Sequence, residues 1–375
     1  MRHYLDHAST SPTRPEAVEA MVKWMQSPLA ADPARMHTEG HATRVVVEDA
    51  RDAVAELLGA RNREVVFTSG ATEAIAAATW GAAERGAHMV VPDVEHSAVR
   101  LAAGAHAAEV TPVGCDQRGH VHVDAIAAAI RPDTALVHLQ WGNHEVGTLQ
   151  PVVEVAQLCR DRRVLLHVDA AQAAGHALVA FDDMGIDLMS VSAHKMGGPA
   201  GVGALVVRRG LRLRPLLVGG DQERARRAGF ENVPAILGWG AAARSAAVTL
   251  DAEARAARRL TQRLIDAASS MEGVTFYGDE AQRLPHIVCL GIAGVEPQAV
   301  LLGLDQAGIA VHSGSSCASE AIEPSPVLAA MGVDAERSLR ISVGWSTTDA
   351  DIDALLSALP AVLSRLRSLG SQSPQ

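Results

Sequence analysis

The stretch Asp187-Leu188-Met189-Ser190-Val191-Ser192-Ala193-His194-Lys195-Met196-Gly197-Gly198-Pro199 decides the fold. An apolar run of strand length stops at Ser-Ala-His-Lys and then breaks into two glycines and a proline, the profile of a buried strand handing over to a turn. The profile recurs. Residues 64–67, 88–91, 135–139, 164–168 and 202–207 are short, β-branched or apolar, and alternate with alanine-rich stretches that suit helices. That rhythm predicts an α/β protein on a mostly parallel, buried sheet. Functional loops then belong beyond the carboxyl ends of the strands.

At 375 residues and 48% hydrophobic content, the chain has enough material for two domains and a large core. Residues 248–270 read as one long Ala/Arg/Glu helix, and a second set of strands begins at 285–290, so a domain change is expected near residue 250. A net charge of −10 argues against a nucleic-acid surface, which needs clustered Lys and Arg free of competing acids. No signal-like amphiphile opens the chain and no apolar run reads as a bilayer span, so no membrane is expected and the cytoplasm is the default location. Cys115, Cys159, Cys289 and Cys317 are widely spaced with no C-x-x-C pair, which indicates neither a zinc ribbon nor a disulfide framework, and no metal site is expected.

Lysine occurs only at Lys23 and Lys195. An amine at a strand terminus can reach a bound cofactor, which makes Lys195 a candidate for a Schiff base with pyridoxal phosphate; taken alone, it reads more readily as a solvated loop lysine. Three further strand ends carry matching chemistry. Thr68-Ser69-Gly70-Ala71-Thr72-Glu73 can aim helix N-terminal amides at a phosphate, or simply cap a helix. Asp169, in Val168-Asp169-Ala170-Ala171-Gln172, can pair with a pyridinium nitrogen while Gln172 bonds the ring oxygen, or can cap a turn. His96, in Glu95-His96-Ser97, can stack on a ring and shuttle protons, although the chain has 16 histidines.

Phosphate cup, ring-stacking histidine, pyridinium aspartate and lysine follow in an order that resembles the NifS/IscS-like cysteine desulfurases of aminotransferase class V. The resemblance runs from Tyr4-Leu5-Asp6-His7 to Arg340-Ile341-Ser342-Val343-Gly344, and includes Asn143-His144-Glu145-Val146-Gly147-Thr148 and Ser313-Gly314-Ser315-Ser316-Cys317-Ala318-Ser319. It implies a fold-type I pyridoxal phosphate enzyme: a large α/β/α domain over residues 14–250, and a smaller α+β domain from residues 1–13 and 251–375. Residue by residue it implies phosphate contacts at Ala71, Thr72, Ser192 and His194, ring contacts at His96, His144, Asp169 and Gln172, and the Schiff base at Lys195. Arg340 matches the grip on the substrate carboxylate, with Asn143 and His7 on the substrate side. Cys317 matches the catalytic cysteine; its small-residue loop suits a mobile thiol. Cys159 and Cys289 read as core and Cys115 is undecided.

The activity implied is transfer of sulfur from L-cysteine to Cys317, giving alanine and a persulfide that passes to an acceptor protein, in a homodimer. A C–S or selenocysteine lyase and a non-catalytic partner of a sulfur-transfer system are the alternatives. Five departures bear on the pocket: His7 and His144 stand where Asn is usual, Asp32 where Asn is common, Phe230 where a threonine reaches across the dimer, and Trp345 where arginine is common.

Overall fold

The computed structural model describes residues 2–313 and 324–370. Its large sheet has seven strands: β1 (Val65–Thr68), β2 (His88–Pro92), β3 (Glu109–Val113), β4 (Thr134–Gln140), β5 (Leu165–Asp169), β6 (Leu188–Ser192) and β7 (Gly203–Val207). They lie side by side in the order β1-β7-β6-β5-β4-β2-β3. Only β7 runs against its neighbours, so the sheet is mostly parallel as the strand rhythm predicts. Every residue of β1, β2, β4, β6 and β7 is buried, which is why these strands are largely apolar and do not alternate with charged residues.

The helices that matter for the site are α1 (Pro15–Met25), α2 (Thr38–Leu57), α3 (Ala71–Ala82), α4 (Ser97–His106), α5 (Val233–Ala268) and α6 (Asp349–Gly370). Helix α5 begins well before residue 248, where periodicity alone starts it. Its first turn is fixed by Asn232, whose side chain accepts the Ala235 N–H (3.3 Å), and by Pro234 just inside. One window of α5 is as long and apolar as a membrane span, which amends the reading of the sequence; half of it is buried inside the fold, and the helix packs on α1 and α2.

A second sheet of three antiparallel strands joins β8 (Val274–Tyr277), β9 (Ile287–Ile292) and β10 (Ser338–Ser342), with β9 in the middle. The N-terminal arm belongs with it. His3–Tyr4 pairs in parallel with Ile309–Ala310, and Leu5 is buried in one apolar cluster with Leu260, Leu290, Ile341 and Leu355. Helix α5 crosses both bodies, Ile236 and Trp239 lying in the core beneath the large sheet and Leu260 and Leu264 in that of the small one.

Candidate active site

Loops leaving the carboxyl ends of β1, β2, β4, β5 and β6 converge on a cleft of about 440 Å³. Its wall includes Ala71, Thr72, His96, His144, Asp169, Gln172, Ser192, His194, Lys195 and Arg340. Topology assembles them, because strand ends far apart in sequence are neighbours in the sheet.

At one end, Gly70 precedes α3 with φ 155°, and Ala71 and Thr72 form its first turn. A Cβ on Gly203 of β7 would lie 2.6 Å from the Gly70 Cα, so a glycine in the neighbouring strand is what lets this turn approach. The open N–H groups and positive end of the helix macrodipole face the cleft here, beside Ser192 and His194. Burial, then the charge of Lys195, pushes His194 down to about 4, so it is neutral near pH 7.

The Lys195 Nζ donates to the carbonyls of Ala8 and Ser9 (2.7 and 2.9 Å) and, among the described residues, has no carboxylate in contact. Burial, then the Arg340 charge, lowers it to about 8, against the pull of Asp169 and Asp6. Asp169 ends β5, its Oδ1 accepting the Ala171 N–H (3.0 Å) and the Ser190 hydroxyl (3.3 Å). Gln172 donates to the Ala8 carbonyl (2.8 Å) and is held from behind by His286 (3.3 Å). His96 caps α4, its Nδ1 accepting the Ala98 N–H (3.1 Å), which leaves the proton of the neutral ring on Nε2. Its ring meets that of His144 edge to face, centroids 5.0 Å apart.

Arg340 reaches in from β10, donating to the His144 carbonyl (3.0 Å), the Ser9 hydroxyl (2.7 Å) and Asp6 (3.2 Å). Its buried Nε finds no hydrogen-bond partner among the described residues.

Two expected substrate-side residues are not on this wall. Asn143 is fully buried and folds the turn beneath it, its Oδ1 accepting the N–H groups of Glu145 and Val146 (2.8 and 2.9 Å) and its Nδ2 donating to Val94 (3.2 Å). His7 is equally consumed, bonded to Ser11 (2.9 Å) and Thr347 (3.1 Å), and burial, then His176, lowers it to about 4. Cys317 lies outside the described residues. Cys159 and Cys289 are core thiols as expected, and burial pushes Cys159 up to about 12; half-buried Cys115 is raised to about 11. Trp345 bonds the Pro12 carbonyl (2.9 Å), Asp32 pairs with Arg35 (3.0 Å), and Phe230 is 64% exposed.

The residues missed from sequence are supporting ones. Ala8 and Ser9 act through carbonyls that no motif announces, and His176, which bonds the Lys195 carbonyl (3.0 Å), sits where only the stacking of its ring on His286 makes it notable. Glu95 was legible beside His96. It is fully buried, one of its oxygens has no hydrogen-bond partner among the described residues, and burial, then the charge of Asp169, raises its carboxyl well above the usual range.

Residues 3–355 match the model of the aminotransferase class-V family. The chain belongs to that family. Class V relatives include cysteine desulfurase IscS 1 of Archaeoglobus fulgidus, 39% identical over 98% of both chains, and cysteine desulfurase IscS of Dictyoglomus turgidum, 36% identical over 98% of this chain and 95% of the other. Among solved structures, a NifS-like protein superposes with a TM-score of 0.91 at 31% identity, covering 98% of this chain and all of the other. SspA in complex with cysteine superposes with a TM-score of 0.80 at 29% identity, covering 92% of this chain and all of the other. This family member therefore shares its fold, end to end, with NifS-like proteins.

Proposed function

We propose that this class V protein is a pyridoxal phosphate-dependent cysteine desulfurase that takes sulfur from L-cysteine onto Cys317 and leaves alanine. The observation that carries the reading is a buried amine with lowered proton affinity, Lys195, between a strand-end carboxylate, Asp169, and a buried guanidinium, Arg340, in a cleft floored by a helix N-terminus. The side chains fit the cofactor. Ala71, Thr72, Ser192 and His194 would hold its phosphate, His96, His144, Asp169 and Gln172 its ring, and Lys195 its aldehyde carbon. Bound there, it supplies an electron sink for the carbon that carries the amino group.

The chain's own groups do the rest. Arg340 pairs with the substrate carboxylate, for which its planar fork is suited. Lys195 Nζ, with a proton affinity near neutrality, takes and returns the proton at that carbon. His96 takes the proton of the incoming thiol at Nδ1, which gives up the Ala98 N–H to do so. The sulfur taken up by Cys317 then passes to an acceptor protein. A second copy of the chain is the natural cover for Leu217, Val218 and Phe230, large apolar side chains exposed on either side of the short helix Gln222–Ala225.

The test is product analysis with L-cysteine. The reading requires alanine from the wild type, sulfide only when reductant is added, and neither product from Cys317→Ala. Continued sulfide release by Cys317→Ala would make the protein a lyase, and a cofactor-free protein that never binds pyridoxal phosphate would remove it from the enzymes.

A further inference from the structure

His144 does more than line the cleft. Its Nε2 lies 3.6 Å from Oε1 of Glu145, its neighbour in sequence, and its ring stands edge-on to His96 at 5.0 Å. Glu145 is 2% exposed, and its other oxygen accepts the hydroxyl of Ser325, which caps the short helix Pro326–Ala330 through the Leu328 N–H (3.1 Å). The carboxylate is thereby fixed, one oxygen toward an imidazole and one toward a helix cap. We propose that His144 is a second proton-accepting imidazole of this cleft, with Glu145 as the positioning residue that orients its ring and stabilises its charged form.

The inference rests on the desulfurase reading, and the chemistry of cysteine supplies the need. Free L-cysteine arrives with an ammonium group and a thiol, and both must lose a proton before nitrogen and sulfur can react. One N–H and one S–H bond of the substrate break; its C–S bond breaks as an S–S bond to Cys317 forms, and the proton of the Cys317 thiol ends on the persulfide. A single imidazole holds only one of the two protons, and Lys195, which itself must give up a proton to act as a base, cannot hold the other. His96 and His144 hold one each. Both are recovered in the product, because alanine leaves with its ammonium restored and one more hydrogen on its side-chain carbon. Two imidazolium rings 5.0 Å apart repel, and the Glu145 carboxylate offsets that repulsion. Among the described residues, the charged or titratable groups facing His144 are Glu145, His96 and Arg340; burial lowers its proton affinity most, Glu145 raises it, and His96 and Arg340 lower it.

The experiment compares wild type, His144→Asn and Glu145→Gln, with melting temperatures confirming that each folds. In the cofactor-free protein, imidazole resonances are titrated by NMR; His144→Asn identifies the His144 signal by its loss. In Glu145→Gln that signal should titrate lower by roughly one pH unit, the loss of a nearby opposite charge. In the loaded enzyme, kcat/KM for alanine falls as pH drops and the bases fill with protons. The acid limb should lose one ionisation in His144→Asn and move to lower pH in Glu145→Gln. An active wild type whose acid limb is unchanged in both variants would overturn the proposal, as would a His144 resonance indifferent to Glu145→Gln. If no alanine forms from the wild type, the desulfurase reading fails, and the NMR titration alone decides whether Glu145 governs His144.

Discussion

Lys195 shows what burial does to a single side chain. Two backbone carbonyls hold its amine without neutralising it, while burial and Arg340 bring its proton affinity to about 8. Only the neutral amine attacks an aldehyde, so uptake of pyridoxal phosphate by the cofactor-free protein should rise with pH through about 8 and level off above it. At pH 7 it should run at about a tenth of the plateau rate, the neutral fraction of a base one unit above the pH. Rapid-mixing absorbance checks the curve. Lys195→Arg should abolish the adduct that borohydride traps, seen by mass; a trapped adduct on another residue would displace Lys195 from its role. Lys195, Asp169 and His96 were legible in the sequence because each ends an apolar run, and a strand end can be read without knowing the fold. Asn143 and His7 were not, since each is turned from the cleft partly by a group distant in sequence, Val94 for Asn143 and Thr347 for His7.

Elements set how closely the cup can form. Gly203 on β7 leaves room for the turn at Gly70, and a methyl group there would lie 2.5 Å from the Val191 carbonyl and 2.6 Å from the Gly70 Cα. Those are backbone atoms, which cannot swing aside. Gly203→Ala should cost about 1–3 kcal/mol of stability by overpacking. It should also weaken binding of pyridoxal phosphate more than binding of pyridoxal, because the displaced turn carries the phosphate contacts. Calorimetry on both ligands separates the two effects, and equal losses for both would refute the phosphate assignment. Six of the large sheet's seven strands were readable to within one or two residues from their apolar runs; the half-exposed β3 and the start of α5 were not. Its first two turns are rich in glycine and small residues, and they are helical because they pack on α1 and α2.

Across the whole molecule, buried histidines couple stability to acidity. Burial holds His138 at about 3 and His7 and His176 at about 4, and keeps His167 and His286 well below the ordinary value. In the unfolded chain each takes up a proton near pH 6.5, so the unfolded state binds more protons below that point and stability falls with pH. Each contributes its full stability above about pH 6.5 and loses about 1.4 kcal/mol per pH unit below it, until the folded value is reached. Melting temperature should therefore drop steeply between pH 6.5 and 4. A flat profile over that range would mean these rings are charged or solvated in the fold.

The site also has an order of manufacture. Sheet, lysine and aspartate all lie before residue 210, but the N-terminal arm that offers its carbonyls to Lys195 pairs with Ile309–Ala310 and bridges to Ser342, and the guanidinium on the cleft wall is that of Arg340. As the chain leaves the ribosome, its first residues wait for nearly its last before the lysine has its acceptors and the cleft its far wall. A nascent chain with the large sheet already folded thus carries an unfinished cleft, whose far wall is missing until β10 has been made.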